Sequence, residues 1–363
     1  MKTDVLIIGG GLAGLAIARL FEQRGVAYEL IEARPRFGGR ILSQSVTING
    51  ETAAFDLGPA WFWPGQPRIA ELLDSLGLQH FLQHASGDIT AEDENGRVVR
   101  GAGFASMEGS LRLDGGLGCL IDGLVAALPD NRLALGQVVR QISFEDGTVV
   151  TAAHTEDGEI RSIESRCAVV ALLPRVVADT IQLPGEITAA AKDAMRAIPT
   201  WMAGHAKILA IYGRPHWRDD GLSGDAMSRR GPMVEIHDAS PAAGGPYALF
   251  GFVGYSPDAR AQLGGGLAEH ARDQLGRLFG DAVAEPDELI IRDWAFDELT
   301  ATPLDHASSN HHPAYGLPAA LSGLCDGRVI LGSTETAPEF GGYLEGALEA
   351  AEIAMKKVET CLE

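Results

Sequence analysis

Gly9, Gly11 and Gly14 stand at the spacing that brings a backbone turn up against a phosphate. Gly9 permits the tight turn, Gly11 lets the backbone approach a pyrophosphate, and Gly14 lets a helix pack closely on the preceding strand. The helix that opens at Leu12 and Ala13 then offers unpaired N–H groups and a partial positive charge to the anion. Glu32 falls where a carboxylate accepts hydrogen bonds from the hydroxyls of an adenosine ribose. Together these residues predict dinucleotide binding. Further along, Lys207 lies in the strand-like run His205–Tyr212, where a lysine is costly to bury without a partner. An edge lysine reaching water and a buried functional cation are both open there. His311 and His312 have no acidic or histidine partner at a ligand spacing, so they read as a polar loop and no metal site is expected.

These residues need elements to hold them. Val5 to Ile8 reads as a short buried strand, and Leu12, Leu15, Ala16 and Leu20 recur at helical spacing with Gly25 as the cap. Val26 to Ile31 is a second strand, so the segment is a βαβ unit closing on an acid. Ile69, Leu72, Leu73 and Leu76 predict a helix stopped by Gly77, and Leu117 to Leu128 another stopped by Pro129. Asp146-Gly147 and Asp157-Gly158 divide a three-stranded meander between 138 and 163, followed by Ala168 to Leu173 as a strand buried on both faces. Segments 205–212, 246–254 and 288–294 read as longer strands around a helix at about 267–279, a separate mixed sheet. The end returns to a strand, Arg328–Leu331, and a helix with Leu344, Leu348, Ala351, Met355 and Val358 on one face. The loop from about 300 to 327 reads as irregular. The fold class is α/β, a Rossmann-like dinucleotide domain interleaved with a mixed-sheet α+β substrate domain.

Composition narrows the partners. With 29 basic residues against 49 acidic ones the net charge is −20, which disfavours nucleic acid and anionic membrane surfaces. Cys119, Cys167, Cys325 and Cys361 are far apart, so they read as reduced thiols of a cytoplasmic protein. No apolar run reaches membrane-spanning length, and the apolar N-terminus runs directly into the glycine motif.

The string Glu32-Ala33-Arg34-Pro35-Arg36-Phe37-Gly38-Gly39-Arg40 resembles the E-A-R-x-x-x-G-G-R segment of the flavin amine oxidase superfamily. The likeness runs nearly end to end. Phe55-Asp56-Leu57-Gly58-Pro59-Ala60-Trp61-Phe62-Trp63-Pro64 is similar to the family segment along the flavin ring, and Val138 falls where its backbone contacts adenine. Trp294 matches a tryptophan close to the flavin. Gly332-Ser333-Thr334-Glu335-Thr336-Ala337 and Gly341-Gly342-Tyr343-Leu344-Glu345-Gly346-Ala347 resemble its G-T-E-T…G-Y-x-E-G-A. The resemblance implies a glutathione-reductase-type FAD domain from 1–75, 112–178 and 297–363, with a substrate domain from 76–111 and 179–296. It implies that Gly39 and Arg40 sit against the pyrophosphate, that the Leu344 N–H faces the flavin, and that Tyr343 stands on the substrate side. It also implies that Lys207, followed by the family-like Gly-Arg-Pro-His-Trp-Arg at 213–218, holds a water at the flavin.

Departures from the family pattern sharpen the expectation. The position of the monoamine oxidases' flavin-attaching cysteine is Pro303, so FAD is expected to be non-covalent. Of two cage tyrosines only Tyr343 remains, with Leu304 at the second place. About ninety residues of the usual helical substrate region are missing, so the cavity should be more open or completed by another subunit, as in a homodimer. The arginine with which L-amino-acid oxidases pair a carboxylate is absent after Gly58. The resemblance therefore implies an FAD-dependent amine oxidase that gives an imine, then an aldehyde or ketone, with oxygen as acceptor and hydrogen peroxide as product. A flavin oxidoreductase on a non-amine substrate, such as a desaturase or dihydropyridine oxidase, and a non-catalytic FAD-binding protein stand as alternatives.

Overall fold

The computed structural model describes residues 2–307 and 311–363. Its first sheet has seven strands, in the order Val138–Glu145, Thr148–His154, Ile160–Val170, Lys2–Ile8, Tyr28–Ile31 and Leu133–Ala134, with Val329–Leu331 pairing Ile160–Val170. The apolar run after the meander is not a new strand. Ile160–Val170 is continuous: it pairs antiparallel with Thr148–His154 up to Ser165, then parallel with Val329–Leu331 from Ala168. Its exposure explains the double use, because alternate residues are exposed up to Arg166 and Cys167 to Val170 are buried throughout. The helices Leu12–Arg24 and Leu344–Leu362 pack together on one face of this sheet, burying Leu15, Ile17, Ala351 and Met355 in a shared core. Glycines in the left-handed region end Leu12–Arg24 at Gly25 and Pro67–Leu76 at Gly77.

The second sheet also has seven strands, in the order Glu288–Asp293, Ala206–Tyr212, Tyr247–Val253, Met233–Asp238, Leu222–Ser228, Asp88–Glu92 and Val98–Gly101. The last four do not show in the sequence pattern. Leu222–Ser228 carries Gly224 and Asp225, poor strand formers that tertiary pairing overrides. Ala206–Tyr212 is interior because Glu288–Asp293 and Tyr247–Val253 pair on either side of it, and it is buried at every residue, which rules out the edge reading of Lys207. The two-residue period sends Ile208, Ala210 and Tyr212 toward the helix Gly266–Phe279. Leu209 and Ile211 face the opposite way, against Phe55, Trp61 and Phe250.

Among the described residues no helix is long and apolar enough to cross a membrane. The glycine turn is tight enough to test. A methyl group on Gly14 would run into the Gly9 carbonyl oxygen, whereas on Gly185 it would meet nothing within 4 Å. Gly14→Ala is therefore expected to lower the melting temperature by about 5–10 °C, the scale of overpacking against fixed backbone. Gly185→Ala should leave it unchanged; thermal unfolding of both variants provides the check.

Candidate functional site

A cavity of about 850 Å³ opens between the two sheets, within the range of cofactor and substrate sites. The glycine turn forms part of its wall through Gly9, Gly11, Leu12 and Ala13. Gly38 N–H donates to Gly10 O at 2.8 Å, so the segment ending in Gly39 and Arg40 lies directly over the turn. A Cβ on Gly39 would stand 3.3 Å from the Gly11 Cα, so this close approach requires glycine. Glu32 is fastened from both sides: its carboxylate accepts Gly10 N–H at 2.7 Å and Arg34 N–H at 2.8 Å. Val138, Ala33 and Arg34 line the cavity beside it.

Two candidates stand behind the wall. Gly14 serves the packing of helix on strand, and Glu335 is fully buried with an oxygen 2.8 Å from Arg40 Nη2. Glu335 thus acts on the cavity through Arg40, which lines it. Arg34 also lines it, while its guanidinium donates to Asp297 at 2.7 Å and Thr300 at 2.9 Å. Ser333 lines the cavity too, and its buried hydroxyl has no hydrogen-bond partner among the described residues.

Gly58, Pro59, Ala60, Trp61 and Trp294 form another stretch of wall, with Trp294 Nε1–H donating to Leu57 O at 2.9 Å. Lys207 Nζ donates to the Gly58 carbonyl and lies 5.1 Å and 5.4 Å from the ring centroids of Phe250 and Phe252. Burial pushes its pKa down to about 8, against the favourable charge of Asp56. Burial likewise raises Asp56 to about 6, opposed by the Ser43 hydroxyl, Arg112, the Leu117 N–H and Lys207.

Gly342, Tyr343 and Leu344 complete the wall, where Tyr343 caps the helix Leu344–Leu362 and is 36% exposed. The first N–H groups of that helix have no partner within it and point its positive end at the cavity. Leu304, expected opposite Tyr343, is instead 47% exposed and does not line the cavity. Its short 3-10 turn, Pro303–Asp305, is fixed by a capping box that aims elsewhere. His312 stacks on Tyr343 in its place, at 4.6 Å and 12° between planes, and packs edge-on against Trp201. Sequence spacing gives no signal for this, since the intervening loop sets it. Trp63, in the segment that resembles the flavin-ring stretch, lines the cavity, and His205 and Glu235 line it unforeseen.

Residues 102–356 match the model of the flavin containing amine oxidoreductase family, and residues 7–76 that of an NAD(P)-binding Rossmann-like domain. The chain belongs to the flavin-containing amine oxidoreductases. It is 24% identical to a flavin-containing monoamine oxidase A of Dictyostelium discoideum, over 98% of this chain and 97% of the relative. That alignment spans 456 positions, more than the 363 residues here, as expected for a shortened member. The fold matches a putrescine oxidase variant with a TM-score of 0.81 over 99% of both chains at 19% identity. It matches cyclohexylamine oxidase from Brevibacterium oxydans at 0.79 over 100% of both chains at 17% identity. The chain is thus an FAD-dependent oxidoreductase acting on amines.

The wall fits that cofactor. A glycine cradle that a Cβ would fill, two arginines and a fastened acid are the donor and acceptor set of a dinucleotide. Because Glu32 also holds two N–H groups of the turn, Glu32→Ala both removes the ribose acceptor and loosens the cradle. FAD binding should weaken by about 5–150-fold, the 1–3 kcal/mol of hydrogen bonds to a charged acceptor. Fluorescence titration of apoprotein with FAD measures it.

Proposed function

We propose that this chain oxidises simple amines that lack an α-carboxylate, with FAD held non-covalently and oxygen as acceptor. The observation that carries the substrate side of this reading is the apolar wall after Gly58. Pro59, Ala60, Trp61 and Trp63 line the cavity there, and the nearby Arg260 already has both its arms on Asp293 at 2.7 Å. Of the other arginines in the wall, Arg34 and Arg40 are held by Asp297 and Glu335, and Arg140 stands on the strand of Val138, where the adenine would lie. No cysteine lines the cavity among the described residues, and Cys325 is buried in the core of the first sheet, which supports a non-covalent flavin.

When bound, FAD supplies the hydride acceptor, and in sum amine, oxygen and water give a carbonyl compound, ammonia or a smaller amine, and hydrogen peroxide. The chain supplies binding and orientation. Gly9, Gly11, Leu12, Ala13, Gly39 and Arg40 would hold the pyrophosphate, Glu32 the ribose, and Val138 the adenine. Gly58 to Trp61, Trp294, Ser333, Gly342 and Leu344 would hold the ring system, with the N-terminal turn of Leu344–Leu362 stabilising negative charge there. Tyr343 would present its ring face to the neutral amine. Lys207 would hold a water, and while protonated would stabilise the negative charge that develops as an electron passes to oxygen.

Anaerobic bleaching of the flavin by an arylalkylamine and by its α-amino acid tests the substrate class. The amine is expected to react faster, and a preference for the amino acid would overturn the reading. In the same preparation, acid precipitation should leave the yellow colour in the supernatant.

Lys207→Met removes the charge and keeps the bulk. Reoxidation by oxygen should slow by about ten-fold or more, 1.4 kcal/mol per decade, with reduction by amine nearly unchanged. Since Lys207 is protonated below about 8, wild-type reoxidation should be fastest there and fall as pH rises through that value. The variant should show no such fall in stopped-flow measurements.

A further inference from the structure

Lys207 and Glu235 stand in one row across the second sheet. Lys207 pairs with Phe252, and Phe252 pairs with Glu235, so the two charged residues lie two strand spacings apart on one face. That separation is about 10 Å between Cα atoms. All three residues line the cavity.

The carboxylate of Glu235 is fixed and ionised by its neighbours. His237 Nε2–H donates to Glu235 Oε1 at 3.0 Å, and His237 Nδ1–H donates to Asp225 Oδ1 at 2.7 Å. A neutral imidazole has one N–H, so serving two carboxylates makes this ring an imidazolium. Burial opposes its charge, but the hydrogen bonds to Asp225 and Glu235 outweigh burial and raise its pKa. The hydrogen bond from His237 in turn lowers that of Glu235. Ser106 Oγ–H donates to the same Oε1. Trp61 meets the imidazolium edge-on at 5.4 Å, and Gln83 holds the Trp61 Nε1–H at 2.8 Å.

Two carboxylates around one imidazolium leave a net negative charge. Asp225 is buried, whereas the Glu235 side chain is 24% exposed, and no hydrogen bond reaches its Oε2 among the described residues. Beyond Glu235 the row continues through Met227, Ala91 and Val99, which are exposed and apolar and bring no cation. An anion in an otherwise apolar stretch of an amine-oxidising cavity calls for a cation from the ligand.

We propose that Glu235 anchors a second positive charge on the substrate, so that this chain prefers diamines, or amines bearing another cationic group, over monoamines. The distal ammonium pairs with Glu235 while the other nitrogen, neutral, lies toward Lys207 and Tyr343. This rests on the reading of the cavity as an amine-oxidising site.

The test compares holoenzyme and Glu235→Gln on a linear diamine and on the monoamine of equal length. Wild type should favour the diamine in kcat/KM by about ten-fold or more. Glu235→Gln should lower kcat/KM for the diamine by about 10–100-fold, chiefly through KM, and change the monoamine by less than about three-fold. Glu235→Asp should recover part of the diamine preference. His237→Gln, which acts through the position of Glu235, should raise KM for the diamine and leave kcat for the monoamine unchanged. Calorimetry with a diamine whose α-carbons carry no hydrogen should show the same loss of affinity in Glu235→Gln without any turnover. Equal effects on both amines, or no diamine preference in wild type, would overturn the anchor. If neither amine bleaches the flavin, amine oxidation at this site is the reading that fails, and calorimetry alone then decides on Glu235.

Discussion

An ammonium ion placed in the interior of a sheet has to be held by something other than water. The partnering of Lys207 ties the two halves of this molecule together. Its own strand is covered on both sides, so its hydrogen-bond acceptor comes from outside the sheet, the carbonyl of Gly58. The same stretch receives Trp294 Nε1–H at Leu57 O, so two adjacent strands of the second sheet, Ala206–Tyr212 and Glu288–Asp293, fasten onto it. Asp56 completes the arrangement. Its carboxylate faces Lys207 and Arg112 electrostatically while accepting the Leu117 N–H at 2.9 Å, just before the helix Gly118–Ala126. One buried cation thus fixes the spacing between the substrate sheet, the wall segment and the first sheet's helical layer.

The remaining buried charges follow the same economy of fixed pairs. Glu345 is fully buried in the first turn of Leu344–Leu362, a place where an acid suits the helix dipole. It spends its oxygens on the N–H groups of Arg68 and Ile69, the open end of the helix Pro67–Leu76. Glu349, one turn on, accepts the N–H groups of Glu339 and Phe340 in the turn leading to Tyr343. The helix whose positive end points at the cavity therefore also sets the loop before it and the helix beside it. The net charge of −20 says little about this, because acids such as the buried Glu335 and the part-buried Asp293 are each matched by an arginine, Arg40 and Arg260.

Local chemistry was legible in the sequence and long-range pairing was not. The glycine turn, the glycine caps at Gly25 and Gly77, and Glu32 depend on residues a few positions apart, and all stand where their spacing puts them. Tyr343 and Leu344 are found at a helix start for the same reason. From its own strand Lys207 was legible only as a cost, since whether that strand is an edge depends on which strands pair beside it, and its expected role came from the family resemblance alone. Glu235 carried no signal, because its strand is recognisable only once its partners are placed. The exchange of Leu304 for His312 beside Tyr343 is a further case. Counting positions along a chain cannot tell how an irregular loop folds back, and here stacking on an aromatic ring decides it.

What a shortened member gives up in covering layers it has to recover from its rigid parts. A sheet holds neighbouring residues at a fixed spacing, and Lys207, Phe252 and Glu235 use it to set cation, ring and anion in line. The imidazolium of His237 is braced by Trp61, which belongs to the same wall segment that receives Lys207 through Gly58. The anion and the cation of the row are thus positioned by one stretch of chain, at Gly58 and at Trp61. A displacement of that stretch would move both ends of the row together and preserve their separation. Selectivity built in this way rests on the fixed spacing of the sheet rather than on a closing element.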